Sequence, residues 1–381
     1  DSTGITLTDI TTSGNNWGSI GLFSAGRVWE PGTNDITFTG TYDASEPTKI
    51  YADEEGSTTV ENIDFSGIYT TVYKVENSAF RDGADGRSDD FTFFFGSESD
   101  AVAYATGLQD GNDNDVSAAS VITTDDTPAD VDAETGTTFI VADGMSIQAA
   151  IDAADDGDTI LVRPGTYEGF TVDKDLTIDG PNATLAGFDP ARGTEATVEG
   201  NIVIEANGAT LRGFEVANFA PTTNDTGEAI RISGTTDFVS VENNIVRDID
   251  GAGLPQWESM EGIVVFGGDA ADAVTNITVR DNLVENISGR ATEGGAAGIR
   301  VQGNVDNVSV LGNEVRDIGE GDTTWAFGIA VSGTGNHGET PRNVTLENNT
   351  IADIVSNPAT ATVGVGLGLE SPSDAVTVTG N

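Results

Sequence analysis

A short phrase of alternating apolar and polar residues recurs through the last 143 positions, Val239 to Asn381, and it constrains the fold more than any other feature of the chain. It begins Val239-Ser-Val241-Glu-Asn-Asn244-Ile-Val246-Arg-Asp-Ile249. It returns as Ile277-Thr-Val279 with Asn282, Val284 and Ile287, and as Val308-Ser-Val310 with Asn313, Val315 and Ile318. A further copy is Val344-Thr-Leu346 with Asn349, Ile351 and Ile354, and the phrase starts once more at Val376-Thr-Val378 with Asn381. The copies start at 239, 277, 308, 344 and 376, so they lie 38, 31, 36 and 32 residues apart. A period of roughly 20–50 residues marks a stacked, repetitive architecture.

The alternation makes each copy open as a strand. Asn then falls at a fixed offset, in the series Asn244, Asn282, Asn313, Asn349 and Asn381. In a coil of parallel strands, equivalent residues stack about 4.8 Å apart. A buried column of Asn at a bend satisfies its amides from one coil to the next, and Asn tolerates turn backbone. A second strand follows each phrase after a loop of variable length: Ala229-Ile-Arg-Ile232, Gly262-Ile-Val-Val265, Gly298-Ile-Arg-Val301, Gly328-Ile-Ala-Val331 and Gly366-Leu-Gly-Leu369. Fixed interior positions and loops of changing length identify a solenoid.

Charge bounds the environment. Asp and Glu outnumber Lys and Arg 63 to 16, a net charge of -47, yet 37% of the residues are hydrophobic. Such a chain is no disordered acidic tail. A folded protein this acidic repels itself in dilute buffer, and molar salt shortens the Debye length to about 3 Å and removes that penalty. The bias therefore points to a high-salt organism; a polyanion that binds divalent cations is the competing reading. Nucleic acid is excluded as a partner, because a phosphate backbone needs a basic surface. Cys is absent, which removes disulfides, thiolate nucleophiles and zinc-cysteine sites. No run of about 18 apolar residues is present, so no membrane span is expected.

Residues 1–109 read as a looser solenoid, with Ile5-Thr-Leu7 echoed by Ile36-Thr-Phe38 and an aromatic run at Phe91-Thr-Phe93-Phe94-Phe95 before a short helix from Ser97 to Tyr104. They are either the terminal rungs of a first β-helix or a small β domain. Residues 110–137, rich in Asp, Thr, Ala and Ser, read as an acidic linker. Within it Asp110, Asn112 and Asn114 have the alternate spacing of a calcium loop but lack its Gly at the sixth position and Glu at the twelfth, so calcium is a weak expectation and no other cofactor is implied. From 138 to 381 a second β-helix is expected. It opens with the strand Phe139-Ile-Val141 and a capping helix near 146–155, in which Ile147, Ala150, Ile151 and Ala154 share a face, Ser146 caps the start and Gly157 the end.

Ser146-Ile-Gln-Ala-Ala-Ile-Asp-Ala-Ala-Asp-Asp-Gly-Asp-Thr-Ile-Leu-Val-Arg-Pro-Gly-Thr-Tyr-Glu-Gly169 resembles the entry segment of the pectin-lyase-like right-handed parallel β-helix superfamily. The repeats beyond 200 resemble its coils. The resemblance covers about 139–381 and implies an all-β, right-handed parallel β-helix. It implies little about activity, since the superfamily contains lyases, hydrolases, esterases, epimerases, tailspikes and plain surface proteins. A helix-capped start after sequence that reads as the end of a coil, and a finish in mid-phrase at Asn381, suggest a slice of a longer precursor or one unit of a head-to-tail array.

Several residues are candidates for chemistry. Asp317 and Asp353 occupy one repeat position on adjacent coils, with Asp248 and Asn286 earlier in the column, a spacing that suits a glycosidase carboxylate pair. A solvated acidic stripe is the plainer account in so acidic a chain. Arg231 and Arg300 share a position two coils apart, with Val264 between, and a pair of Arg grips a uronate or sulfate; local pairing with Glu228 is the plainer account. His337 is the sole His, in a polar loop, and Trp257 and Trp325 lie between first and second strands, where they either stack on sugars or cover their own loops. Glycosylation sequons occur at Asn182, Asn224, Asn276, Asn286, Asn307, Asn343 and Asn348, three of them (276, 307, 343) at the same repeat position.

The leading expectation is a non-catalytic extracellular surface protein of a halophile, a stalk, filament or surface-layer component that contacts itself or other surface proteins end to end, and glycans. The alternative is a polysaccharide lyase or glycoside hydrolase acting on an acidic polysaccharide, which needs convergent Asp, Arg or Lys side chains on one face of the coil.

Overall fold

The computed structural model describes residues 5–12, 20–23, 36–44, 49–54, 63–77, 90–106, 121–125, 138–218, 227–254, 258–268, 273–289, 294–319, 323–333, 339–356, 363–370 and 374–381. Among them the chain forms two compact units, residues 1–154 with 158–160 and residues 155–157 with 161–381. Asp110, Asn112, Asn114, Asn224, Trp257 and His337 lie outside the described residues.

In the first unit, Ile5–Thr12, Ile36–Ala44 and Ile63–Asp64 form a parallel sheet in which Ile5 pairs with Ile36 and Ile36 with Ile63. Ile20–Phe23 pairs in parallel with Lys49–Glu54. The echo between Ile5 and Ile36 is therefore the pitch of a coil. The strand direction then alternates: Lys49–Glu54, Asp90–Phe95, Val72–Asn77, Val121–Asp125 and Thr138–Val141 are successive antiparallel neighbours. Phe65 packs on Tyr69 and Phe94, and Phe95 on Tyr104 of helix α1 (Glu98–Ala105).

One element here differs from the sequence reading, and the capping helix lies where the sequence predicts it. The stretch 110–137 contains a strand, Val121–Asp125, whose Ile122 is fully buried. Its apolar pattern is too short to mark a strand by itself, and pairing on both edges secures it. The second helix, α2, spans Ile147–Ala153, with the Ser146 hydroxyl accepting from the Ala149 amide at 3.2 Å. It packs on Thr138–Val141 and Val121–Asp125, within this unit.

The second unit is a right-handed parallel β-helix of three sheets, all β but for one short 3₁₀ turn at Gly251–Gly253. Its first sheet includes Thr177–Asp179, Thr210–Arg212, Ser240–Glu242, Val274–Arg280, Val305–Leu311, Arg342–Glu347 and Asp374–Thr379. The second runs from Gly165–Tyr167 through Ile245–Asp250, Leu283–Ser288 and Glu314–Ile318 to Thr350–Ile354. The third runs from Phe170–Val172 through Glu228–Ile232, Met260–Gly267, Gly295–Gly303 and Trp325–Ser332 to Val363–Glu370. Every neighbouring pair whose register is resolved is parallel, and the inward columns are aliphatic. Val241, Val279, Val310 and Leu346 stack in the first sheet, and Val246, Val284 and Val315 in the second, all with no exposed surface.

The Asn column sits at the bend between the first and second sheets. Asn244, Asn282, Asn313 and Asn349 are at most 2% exposed. The Asn282 carbonyl oxygen accepts from the Asn244 backbone N–H at 2.9 Å and its amide at 3.2 Å, while the Asn282 amide donates to Val241 O at 2.9 Å and Asn313 Oδ1 at 3.0 Å. Asn313 repeats the pattern toward Asn349, and Asn349 toward Asn381, at 2.7–3.0 Å. At the N-terminal end of the column the Phe214 N–H donates to Asn244 Oδ1 at 3.0 Å. The residue just before each column member has positive φ (Asn243, Asp281, Gly312, Asn348 and Gly380), as does Gly213 before Phe214 at the same bend. Each bend thus turns through left-handed backbone, which Gly, Asn and Asp adopt most readily.

Removing one amide from this column strands several buried donors and acceptors, each of which costs about 1–3 kcal/mol. Asn313→Ala is therefore expected to lower the unfolding free energy by about 3–5 kcal/mol. Denaturant unfolding checks this; a loss below about 1 kcal/mol would show that the column is not a structural support.

Candidate acidic-glycan site on the third sheet

The third sheet carries the one cluster, among the described residues, in which Arg, carboxylate and aromatic side chains converge on a single face. Its geometry begins with a break in the strand pairing that is stacked from coil to coil without a register shift. Residues three apart on a regular strand face opposite sides. Here the pairing skips one residue per coil, Ala229, Gly262, Gly298 and Gly328. The skip puts Glu228 beside Arg231, and Glu261 beside the Val264 column, on the outer face, while Ile230, Ile263 and Ile299 point inward. Glycine is required by close packing. A Cβ on Gly262 would lie 2.6 Å from both Gly298 O and Val284 Cγ1, and one on Gly328 would lie 2.5 Å from Ile351 Cγ2.

Register pairs Glu228 with Glu261, and Arg231 with Val264 and then Arg300. Arg231 Nη1 donates to Glu228 Oε1 at 2.9 Å, and Arg300 Nη1 to Glu261 Oε1 at 2.5 Å. Arg300 Nε also reaches Ser332 Oγ at 3.3 Å. Each guanidinium has an aromatic neighbour from the next coil. Arg231 lies 4.6 Å from the Phe266 ring centre and Arg300 5.6 Å from that of Trp325, which in turn tilts against Phe327 at 5.4 Å. Glycine again makes the room, since a Cβ on Gly295 would run into the Trp325 ring.

The two carboxylates have different surroundings. Burial pushes the Glu261 carboxyl above the usual carboxylate range, against the lowering pull of the Arg300 charge and hydrogen bond. Glu228 has one oxygen on Arg231, and its Oε2 is buried without a hydrogen-bond partner. Facing Glu on adjacent coils start from Cα atoms about 4.8 Å apart. The cluster thus combines two ion-paired arginines, a carboxyl disposed to hold a proton, and a second carboxylate with one buried oxygen that lacks a hydrogen-bond partner.

The structure places the other sequence candidates as follows. Asp317 and Asp353 do stack on adjacent coils, but both have left-handed backbone (φ 54° and 52°), as do Asn218, Asp248 and Asn286 in the same column. The column therefore follows a backbone requirement for Asn or Asp, and it holds no Arg–carboxylate pair comparable to that on the third sheet. The sequon position is selected the same way, since Asn276, Asn307 and Asn343 have φ of 50–57°. Asn286, Asn307, Asn343 and Asn348 are exposed and Asn276 is half-buried. Asn182 is a correction: it is 4% exposed, accepts from the Gly193 N–H at 2.8 Å and donates to Thr194 O, which leaves no room for a glycan. Trp325 opens a strand of the third sheet instead of lying in a loop. Arg231 does pair with Glu228, as the plainer account has it, and Arg300 finds the same kind of partner in Glu261.

Sequence reasoning missed Glu261, Phe266, Phe327 and Ser332. One signal for Glu261 was present, because Glu228 and Glu261 both stand one residue before the recurring second-strand phrase. The arginine contacts to Phe266 and Ser332 depend on side-chain reach across coils, which no linear pattern encodes.

No protein family and no curated protein matches the chain. Solved structures that align with it include two polysaccharide-acting proteins. An alginate lyase from Paenibacillus sp. does so at 14% identity over 62% of this chain and 99% of the lyase, with a TM-score of 0.23. The mannuronan C-5 epimerase A-module of Azotobacter vinelandii does so at 15% identity over 64% of this chain and 88% of the module, with a TM-score of 0.19. The architecture rests on the strand pairing above, and the site on its own geometry.

Two outcomes test these assignments. If backbone conformation selects Asp317, Asp317→Gly keeps stability within about 0.5 kcal/mol, whereas Asp317→Val costs about 1–2 kcal/mol. Calorimetric melting of both variants decides it. Glu261 has a folded-state pKa above its unfolded value of about 4.3, so the stability tied to its protonation is full below that value and falls as pH rises toward the folded pKa. The unfolding free energy of wild type minus that of Glu261→Gln should therefore decline above about pH 4.3. A difference independent of pH would contradict the burial effect.

Proposed function

We propose that the second unit cleaves glycosidic linkages of an acidic polysaccharide at the Glu228–Glu261 pair. The observation that carries this reading is the pairing of two Glu in register on adjacent coils, one pushed up by burial and the other with an unpartnered carboxylate oxygen. In hydrolysis Glu261 gives its proton to the leaving oxygen as Glu228 takes the sugar carbon in an ester bond, and a water deprotonated by Glu261 then displaces Glu228 and releases the sugar. Arg231 and Arg300 neutralise substrate carboxylates or sulfates, which a surface of net charge -47 would otherwise repel. The same charge supports an extracellular protein of a high-salt setting. Its solubility would then depend on screening by molar salt.

A second reading, a non-catalytic surface or filament protein, is favoured by a different observation. Most outward arginines of the described coils are engaged between coils: Arg212 with Asp179 at 2.5 Å, Arg280 with Glu242 at 2.7 Å, and Arg316 with Glu285 at 2.6 Å. In that role exposed sequons such as Asn307 and Asn343 carry glycans, and the protein contacts copies of itself or other surface proteins.

Incubation with a panel of polyuronates and sulfated glycans in molar KCl separates the two. New reducing ends without an unsaturated product indicate hydrolysis, and an unsaturated uronate indicates β-elimination with the Arg pair as the essential feature. Glu261→Gln and Glu228→Gln are each expected to lower kcat/KM by at least about 100-fold. No product from any substrate would leave the surface-protein reading in place.

A further inference from the structure

We propose that Trp325 and Phe327, with Arg300 over the Trp325 ring, form a separate sugar subsite that takes one uronate ring of a chain lying along the helix axis. The proposal rests on the reading of the third sheet as a glycan face and adds a binding position next to the carboxylate pair. Three observations support it. Trp325 and Phe327 are half-buried, so each presents part of its ring to solvent. Both rings rest where neighbouring coils carry no side chain, Trp325 over Gly295 and Phe327 over Gly368, whose added Cβ would lie 2.6 Å from Phe327 Cδ1. The next column of the same face is Arg300, and it bridges Glu261 on the preceding coil and Ser332 on the following one.

The geometry also sets a direction. Glu228 and Glu261 lie on successive coils in the column that continues through Ala297 to Phe327, Arg300 lies on the coil after them in the column of Arg231, and Trp325 stands opposite Gly295 at the start of the next strand. Coils advance about 4.8 Å each, roughly the rise of one pyranose unit. A chain parallel to the axis would meet the carboxylates first, then Arg300, then the aromatic pair. The aromatic faces suit the apolar C–H side of a pyranose, and the guanidinium suits its carboxylate. A neutral sugar would gain only the first of these contacts.

The test uses the whole chain in molar KCl, carrying Glu261→Gln so that ligand is not consumed. Hexamers of galacturonate, of guluronate and of glucose (cellohexaose) are titrated while Trp fluorescence and heat are recorded. At least one oligouronate is expected to bind with a fluorescence change that Trp325→Phe abolishes. Trp325→Phe should keep affinity within about threefold, and Trp325→Ala should weaken it about tenfold or more. Cellohexaose should bind at least about tenfold more weakly than the best oligouronate. Unchanged affinity in Trp325→Ala, equal affinity for cellohexaose, or no binding of any hexamer would overturn the subsite. The Phe variant keeps the test valid if the Ala variant fails to fold. Loss of binding in Trp325→Ala with no product from wild type would remove the hydrolase reading and leave the subsite standing. Cleavage by wild type with unchanged binding in Trp325→Ala would do the reverse.

Discussion

The hydrogen-bonded column from Asn244 to Asn381 is the interaction on which the rest of the β-helix depends. A chain that bends out of one sheet into another exposes backbone N–H and C=O groups at the bend, in the interior, away from water. Each Asn satisfies those groups on the coil before it and offers its own amide to the coil after. The left-handed residue just upstream makes the bend possible. Because every amide must meet the next, the coils are held in one register. A slip by one residue would both break the column and turn the aliphatic interior outward.

That fixed register lets a chain of net charge -47 stack its coils at all. Carboxylates on adjacent coils sit close enough to repel. In the first sheet the outward column reads Asp179, Arg212, Glu242, Arg280, and in the second Arg247, Glu285, Arg316. Exposed pairs of this kind contribute little each. Their alternation removes like-charge contacts that would be unfavourable at every step. The scarce arginines are placed mainly where coils meet, which is why an Arg on the third sheet is ambiguous until its surroundings are known.

On that sheet the same economy produces something different. Arg231 and Arg300 are two coils apart, and their Glu partners are drawn onto the outer face by a stacked break in pairing at a small residue. Aromatic rings replace a second carboxylate around each guanidinium. The first and second sheets spread alternating charge in exposed columns. The third gathers two ion pairs, one of them with Glu261 buried, and three aromatic rings into a single patch.

The sequence by itself determined the coil, its pitch and the Asn column, because each repeats at fixed offsets and a periodic signal survives loops of any length. It also contained Arg231 and Arg300 as a pair. The positions of Asp317 and Asp353 were equally legible, but their meaning was not: φ, not chemistry, selects them, and φ is a property of the folded bend. The strand Val121–Asp125 escaped notice because pairing across distant segments, not local pattern, holds it. Only the tertiary structure decided that Glu228 and Glu261 share a face with the two arginines, and that Trp325 lies beside one of them. Both depend on a stacked break in strand pairing and on contacts between coils more than 30 residues apart, which linear spacing does not encode.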